Sequence, residues 1–166
     1  MDREAAFRDL YDTHRDRIYR MCCYYVAGEG DRQDLYQEVM ANIWKGLKGF
    51  RGDSALSTWV FRVTVNSALA FISREKTRRR KSAEYAAEAA LRPGPAQERA
   101  GQRDIDVLYR AIAQLPLLDM IIMSLVLEDA ATKEIATATG LTEGNVRVRI
   151  HRAKKRLREL IEGDEP

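Results

Sequence analysis

Residues Thr132 to Leu160 read T-K-E-I-A-T-A-T-G-L-T-E-G-N-V-R-V-R-I-H-R-A-K-K-R-L-R-E-L. The spacing predicts a short helix ending at Gly140, a corner at Leu141 and a second helix opening at Thr142. Gly140 can take the left-handed conformation that ends a helix, and Ala136 leaves room for two helices to cross closely. Ile135, Ala136, Leu141 and Val146 stand where they close a small core at that crossing. This is helix-turn-helix spacing, in which the second helix enters a DNA major groove.

The second helix has two unlike faces. Val146, Ile150, Ala153, Leu157 and Ile161 recur as one apolar stripe at a period near 3.6. Arg147, His151, Arg152, Lys155 and Arg158 cover the other side, Arg149 and Arg156 lie on a flank, and Val148 points outward among them. An outward Val suits a thymine methyl, and the arginines suit phosphates or guanine edges. A charge run by itself describes an ordinary solvated face; joined to the turn spacing, it describes a DNA reader.

With 166 residues, 45% of them hydrophobic, the chain can bury one core or two small ones. Its formal net charge is only +3, yet the cations cluster: Arg74 to Lys81 reads R-E-K-T-R-R-R-K. Local potential matters more than the total for binding a polyanion. Cys22 and Cys23 are adjacent, a spacing at which a disulfide is strained, and no Cys/His cluster offers a metal site. They are expected to be free thiols, buried or partly so, of a reducing compartment. No apolar run is long enough to span a bilayer and the N-terminus carries no apolar signal region, so a cytoplasmic protein is expected.

The remaining chain reads as helices. Arg3 to Val26 is amphipathic, with Phe7, Leu10, Tyr11, Ile18, Met21, Cys22 and Tyr25 inward and His14 expected at the surface. Asp31 is the expected N-cap of the next helix, with Leu35, Val39, Ile43 and Leu47 inward. Gln37, Glu38 and Asn42 form a polar surface that fits a protein partner and a solvated face equally well. A loop over 50–57 leads into a helix to about Arg80 that is apolar on two sides, so it packs on both or offers one to a partner. Its basic end, with Arg74, Arg78 and Arg79, can grip phosphates, while Arg62 and Asn66 lie nearer the loop for bases. From Ser82 to about Gly101, with Pro93-Gly94-Pro95, a linker is expected. Helices from Asp104 and from Pro116 then precede the helix-turn-helix. The expected fold is all-α: two small helical domains, 1–81 and 104–166, joined by a flexible linker over 82–103.

Two separated motif sets now stand on the page. The first half carries D-L-Y-Q-E-V with Trp44 downstream, then F-R-G-D-S-A-L-S-T-W-V-F-R-V with Asn66 and the basic run. The second half carries L-P at 115–116, E-I-A, and G-N-V-R-V-R-I-H-R-A-K-K-R-L. Together they resemble the extracytoplasmic-function group of sigma-70 family factors, which direct bacterial RNA polymerase to promoters. The resemblance implies that Asp34, Gln37 and Glu38, with Asn42 beside them, dock on the β′ clamp coiled coil of core polymerase. It implies that Arg51, Asp53, Ser54 and Ser57, with Arg62, Asn66 and the basic run, open and hold the −10 element. It places Thr142, Asn145, Arg147, Val148, Arg149, His151, Arg152 and Lys155 at the −35 element, with the first C-terminal helices facing the β flap. It implies no cofactor, no metal and no catalysis. Free in solution, the two domains are expected to pack together with their DNA faces covered, a state that an anti-sigma factor often holds.

Departures from the family pattern carry their own expectations. D-R-Q-D puts Arg32 and Gln33 where acids are common, which implies weaker docking on a basic clamp surface. The segment L-L-D-M-I-I-M at 117–123 is unusually apolar and is expected to serve the interdomain or an anti-sigma contact. A dimeric helix-turn-helix regulator, or an adaptor that binds polymerase without reading promoters, are the alternatives. The first leaves the loop and basic helix of the first half without a role. An enzyme is not expected, since the two histidines (His14 and His151) are isolated and no nucleophile–base arrangement or phosphate loop is seen.

Overall fold

The computed structural model describes residues 3–83 and 103–163. They form seven helices and no strand: α1 (Arg3–Tyr25), α2 (Glu29–Leu47), α3 (Leu56–Ala83), α4 (Arg103–Ala113), α5 (Leu117–Leu127), α6 (Thr132–Thr139) and α7 (Glu143–Glu162). The all-α expectation holds. Most of the expected linker, 84–102, lies outside the described residues.

The apolar stripes read from the sequence close two cores. In the first, Leu10, Ile18 and Met21 of α1 meet Leu35, Val39 and Ile43 of α2, all of them buried. Across them lies α3, which buries Val60, Phe61, Val65 and Ala68. The second core joins Ile112 of α4, Ile122 and Leu125 of α5, Ile135 of α6 and Val146, Ala153 and Leu157 of α7. Helix α3 is apolar on two sides because it is packed on two sides: α1 and α2 hold one part and α6 another.

Two local expectations are corrected. Helix α2 starts at Glu29, with Gly28 as an extended N-cap (φ −74°, ψ 137°) and no side-chain cap. Asp31 therefore sits inside the first turn, where its charge still complements the helix dipole. His14 is buried, 8% exposed, rather than at the surface. It falls four residues after Leu10 and four before Ile18, on the inward stripe, and the charged residues beside it in sequence point elsewhere. Its Nδ1 has no hydrogen-bond partner. Burial, with Arg17 adding to it, lowers its pKa and keeps the imidazole neutral. Cys22 is buried and Cys23 half-buried, both free, and burial pushes the Cys22 thiol up to about 12.

The two cores are not separate bodies on a string. Helix α1 packs against α4 and α5, and α3 packs against α6. Tyr24 stacks on Tyr109 with ring centroids 4.9 Å apart. The Tyr25 hydroxyl shares a hydrogen bond of 2.7 Å with Ser124. At the centre of the contact Glu128, only 3% exposed, accepts two bonds from Arg20, at 2.9 and 2.7 Å. Arg17 lies over the Phe61 ring and donates to the Glu128 carbonyl. In the apolar segment of α5, Met120 to Met123 are buried, while Leu117 stays exposed.

Candidate nucleic-acid interface

Helices α6 and α7 form the expected corner. Gly140 takes φ 73°, a left-handed C-cap that needs glycine, and the Leu141 N–H reaches back to the Ala136 carbonyl at 3.2 Å. Thr142 caps α7, its hydroxyl accepting the Asn145 N–H at 3.3 Å. That hydroxyl is spent on the cap, whereas the Asn145 side chain remains exposed. Val146 is fully buried at the crossing.

The opposite face of α7 is open. Val148 is 49% exposed, and Arg147, His151, Arg152 and Lys155 are exposed around it. Arg147 pairs with Glu143 one turn back at 3.0 Å, an exposed pair of small worth. Arg152, His151 and Lys155 carry no ion pair among the described residues. Arg149 differs: its guanidinium meets the Asp119 carboxylate of α5 at 2.6 Å, so the flank of the reading helix is tied to its own scaffold.

In the first half, Arg51, Asp53, Arg62 and Asn66 are exposed and Ser54 is half-buried. Gly52 takes φ 78° in the loop. Arg62 and Asn66, four apart, share one face of α3. The first turn of α3 is engaged by the other half of the molecule. Ser57 and Thr58 donate their hydroxyls to Glu134 of α6 at 3.1 and 2.9 Å. The other oxygen of Glu134 accepts the Ala131 N–H at 2.9 Å, closing the start of α6. That N–H, helped by the two hydroxyls, holds the Glu134 carboxyl below the usual range despite partial burial. Closure therefore covers the end of the loop, while the α7 face stays free because α4, α5 and α6 make the contact. Both faces are expected to be covered; in the structure only Ser57 and Thr58 of the first are engaged, and Arg51, Asp53, Arg62 and Asn66 stay exposed, as does the α7 face.

On α2, Asp34 and Gln37 are exposed. Glu38 is half-buried and accepts an ion pair from Arg74 of α3, and Asp31 meets Arg79 at 3.4 Å. Arg78 pairs within its own helix with Glu75 at 2.7 Å. Asn42 turns inward and donates to the Ser67 hydroxyl at 2.9 Å, bracing α2 on α3. Arg20 and Glu128 were not singled out from sequence, and Glu134 entered only as part of the E-I-A motif. Glu128 reads locally as an acid that ends an apolar helix, and Arg20 and Glu134 read as ordinary charged helix positions.

The structure thus defines a class: an all-helical, two-part chain with a helix-turn-helix whose reading face is open. Residues 10–78 match Sigma-70 region 2 and residues 105–157 match Sigma-70, region 4. The ECF RNA polymerase sigma-E factor of Escherichia coli is 29% identical over 169 residues, covering 96% of this chain and 88% of the relative. The ECF RNA polymerase sigma factor SigM of Mycobacterium tuberculosis is 27% identical, covering 94% and 77%. Among solved structures, the fold is shared with the sigma factor RpoE of Bartonella quintana, solved in complex with the anti-sigma factor NepR. The TM-score is 0.77 at 19% identity, over 96% of this chain and 99% of that one. It is shared also with CnrH, solved with the cytosolic domain of CnrY, at TM-score 0.73 and 20% identity, over 98% and 91%. The chain belongs to the sigma-70 family, in its extracytoplasmic-function group, and is an alternative sigma factor. Among the described residues no helix is long and apolar enough to cross a membrane, and no His/Cys/Asp/Glu group could hold a metal.

Proposed function

We propose a residue-level division of labour for this sigma factor. Asp34, Gln37 and Glu38 of α2 dock on the β′ clamp coiled coil of core polymerase, with Asn42 holding α2 to α3. Arg51, Asp53, Ser54 and Ser57 of the loop, with Arg62 and Asn66, receive the non-template strand of the −10 element. That task needs a pocket for an unstacked base and cations for the displaced strand. Arg74, Arg78 and Arg79 follow its phosphates. Arg147, Val148, His151, Arg152 and Lys155 enter the major groove at the −35 element, with Asn145 at the helix start and Arg149 on the flank. Thr142 acts there by capping α7. The functional domains are 1–81 and 104–166, and the linker 82–103 gives each grip a high effective concentration once the other is bound. The β flap lies against the C-terminal helices. The factor works in the cytoplasm without cofactor or catalysis, and the solved relatives bound to NepR and CnrY support an anti-sigma partner.

The observation that carries this reading is the open cationic face of α7 around Val148, on the same chain as the loop and basic helix α3. Run-off transcription with core polymerase tests it. Promoter-specific transcripts are expected; their absence with every cognate promoter supplied would falsify it.

Arg152→Ala is expected to weaken −35 duplex binding by about tenfold and to reduce the salt slope by about one. Arg149 offers a finer test. If it contacts DNA, Asp119→Asn releases it and tightens binding at low salt, whereas a purely structural Arg149 makes the same change neutral or weakening. Electrophoretic titration at two salt concentrations separates the two.

A further inference from the structure

The side of α1 that meets the second half carries Arg17, Arg20, Tyr24 and Tyr25, each with a partner there. His14, three residues before Arg17, is buried and its Nδ1 is unpaired. Among the described residues Arg17 is the one charged group that bears on the imidazole. Arg17 in turn donates to the Glu128 carbonyl and lies 3.6 Å from the Glu128 carboxylate. The other titratable groups packed on α1 meet different residues. Tyr36 of α2 meets Tyr11 and Tyr19, Tyr109 of α4 meets Tyr24, and Glu128 of α5 meets Arg17 and Arg20. From α3 the ring of Phe61 lies under Arg17.

We propose that His14 makes the contact between the two halves sensitive to acid: its protonation drives Arg17 from Glu128 and opens the chain. Protonated, the imidazole adds a buried N–H without an acceptor and a second positive charge close to Arg17. No carboxylate is at hand to offset either. Glu128 is committed to the arginines, and Glu134 to Ser57, Thr58 and the Ala131 N–H. The Arg17 side chain is 31% exposed, so it has a way out to water. When it leaves, Glu128 keeps Arg20 alone and water reaches the imidazole. The closed chain thus binds the proton more weakly than the open one. Closure is at full strength above the ordinary histidine value of about 6.5 and weakens as pH falls below it, until the closed chain takes up the proton as well. Acid alone, with no partner bound, then frees the first turn of α3 from Glu134.

The test is hydrogen exchange of the full chain at about pH 7.5 and about pH 5.5, a range in which ordinary carboxylates stay charged. Protection factors are compared, so that the intrinsic pH dependence of exchange drops out. Protection at the start of α3 and along α6 is expected to fall by about five- to tenfold at the lower pH, against a ceiling of about elevenfold for one histidine. Protection inside the α1–α3 core is expected to persist. His14→Phe fills the same site without a titrating group, and its change between the two pH values is expected to stay below about twofold. That variant keeps His151, so any part owed to that residue survives in it. A second reading needs no change at residue 14. In the parent, the His14 imidazole signal followed by NMR is expected to titrate below the ordinary histidine range. In Glu128→Ala, which parts the halves, it is expected to return towards that range. Protection that does not fall in the parent, or that falls equally in His14→Phe, overturns the proposal. So does an imidazole that titrates equally low in Glu128→Ala, because His14 then belongs to the first core alone.

Discussion

Glu128→Ala is expected to open the molecule. The carboxylate is almost wholly buried between the two halves and takes both bonds of the Arg20 guanidinium. It also lies 3.6 Å from Arg17. Removing one partner of a fully buried pair costs about 3–5 kcal/mol. Here the arginine side chains are 31% and 47% exposed and can regain water, so the loss is nearer 2 kcal/mol. Arg17 also keeps the backbone carbonyl of residue 128. A change of that size shifts the ratio of open to closed chains by roughly thirtyfold. Hydrogen exchange is the measurement: protection at the start of α3 and along α6 should fall, while protection within the α1–α3 core persists. Unchanged exchange at Ser57 and Thr58 would mean that the other contacts, Glu134 with its two hydroxyls and the Tyr24–Tyr109 and Tyr25–Ser124 pairs, hold the halves together without it.

Trp59→Ala carries the larger cost, and its effect stays within the first core. The ring is 8% exposed and lies 5.4 Å from the Phe50 ring. A Cβ added at Gly46 would stand 2.9 Å from its Cζ2, so α2 and the indole are fitted without slack. Truncating a buried Trp costs about 3–5 kcal/mol, a large share of what a small domain has in all. Tm is expected to fall by roughly 15 °C or more in a thermal scan. Gly46→Ala should cost about 1–3 kcal/mol by overpacking the same contact. The two changes are not additive, because losing the indole makes room for the new methyl. A double variant whose loss equals the sum of the singles would show that the ring and Gly46 do not share a contact.

Much of this was legible in the residues. The seven helices follow from apolar recurrence, and the α6–α7 corner follows from Gly140, Ala136 and Val146, whose properties are local. The outward Val148 follows from its place between two stripe positions on α7. The N-cap of α2 was misplaced because Asp31 and Gly28 are both good caps, and only backbone geometry chooses between them. His14 was misjudged because charge in neighbouring residues outweighed its spacing from Leu10 and Ile18, although helical spacing decides which way a side chain points.

The sequence by itself determined the class of fold, the position of the reading helix and the two motif sets of a sigma factor. All of these rest on patterns a few residues long. Only the tertiary structure decided which groups neutralise which. Arg20 and Glu128 are 108 residues apart, Thr58 and Glu134 are 76, and Arg74 and Glu38 are 36. Charge pairing has no periodicity and acts through space, so its partners become visible only when the helices have packed. That is why the open face of α7 could be read from the chain, while the latch on α3 and the partners of its arginines could not.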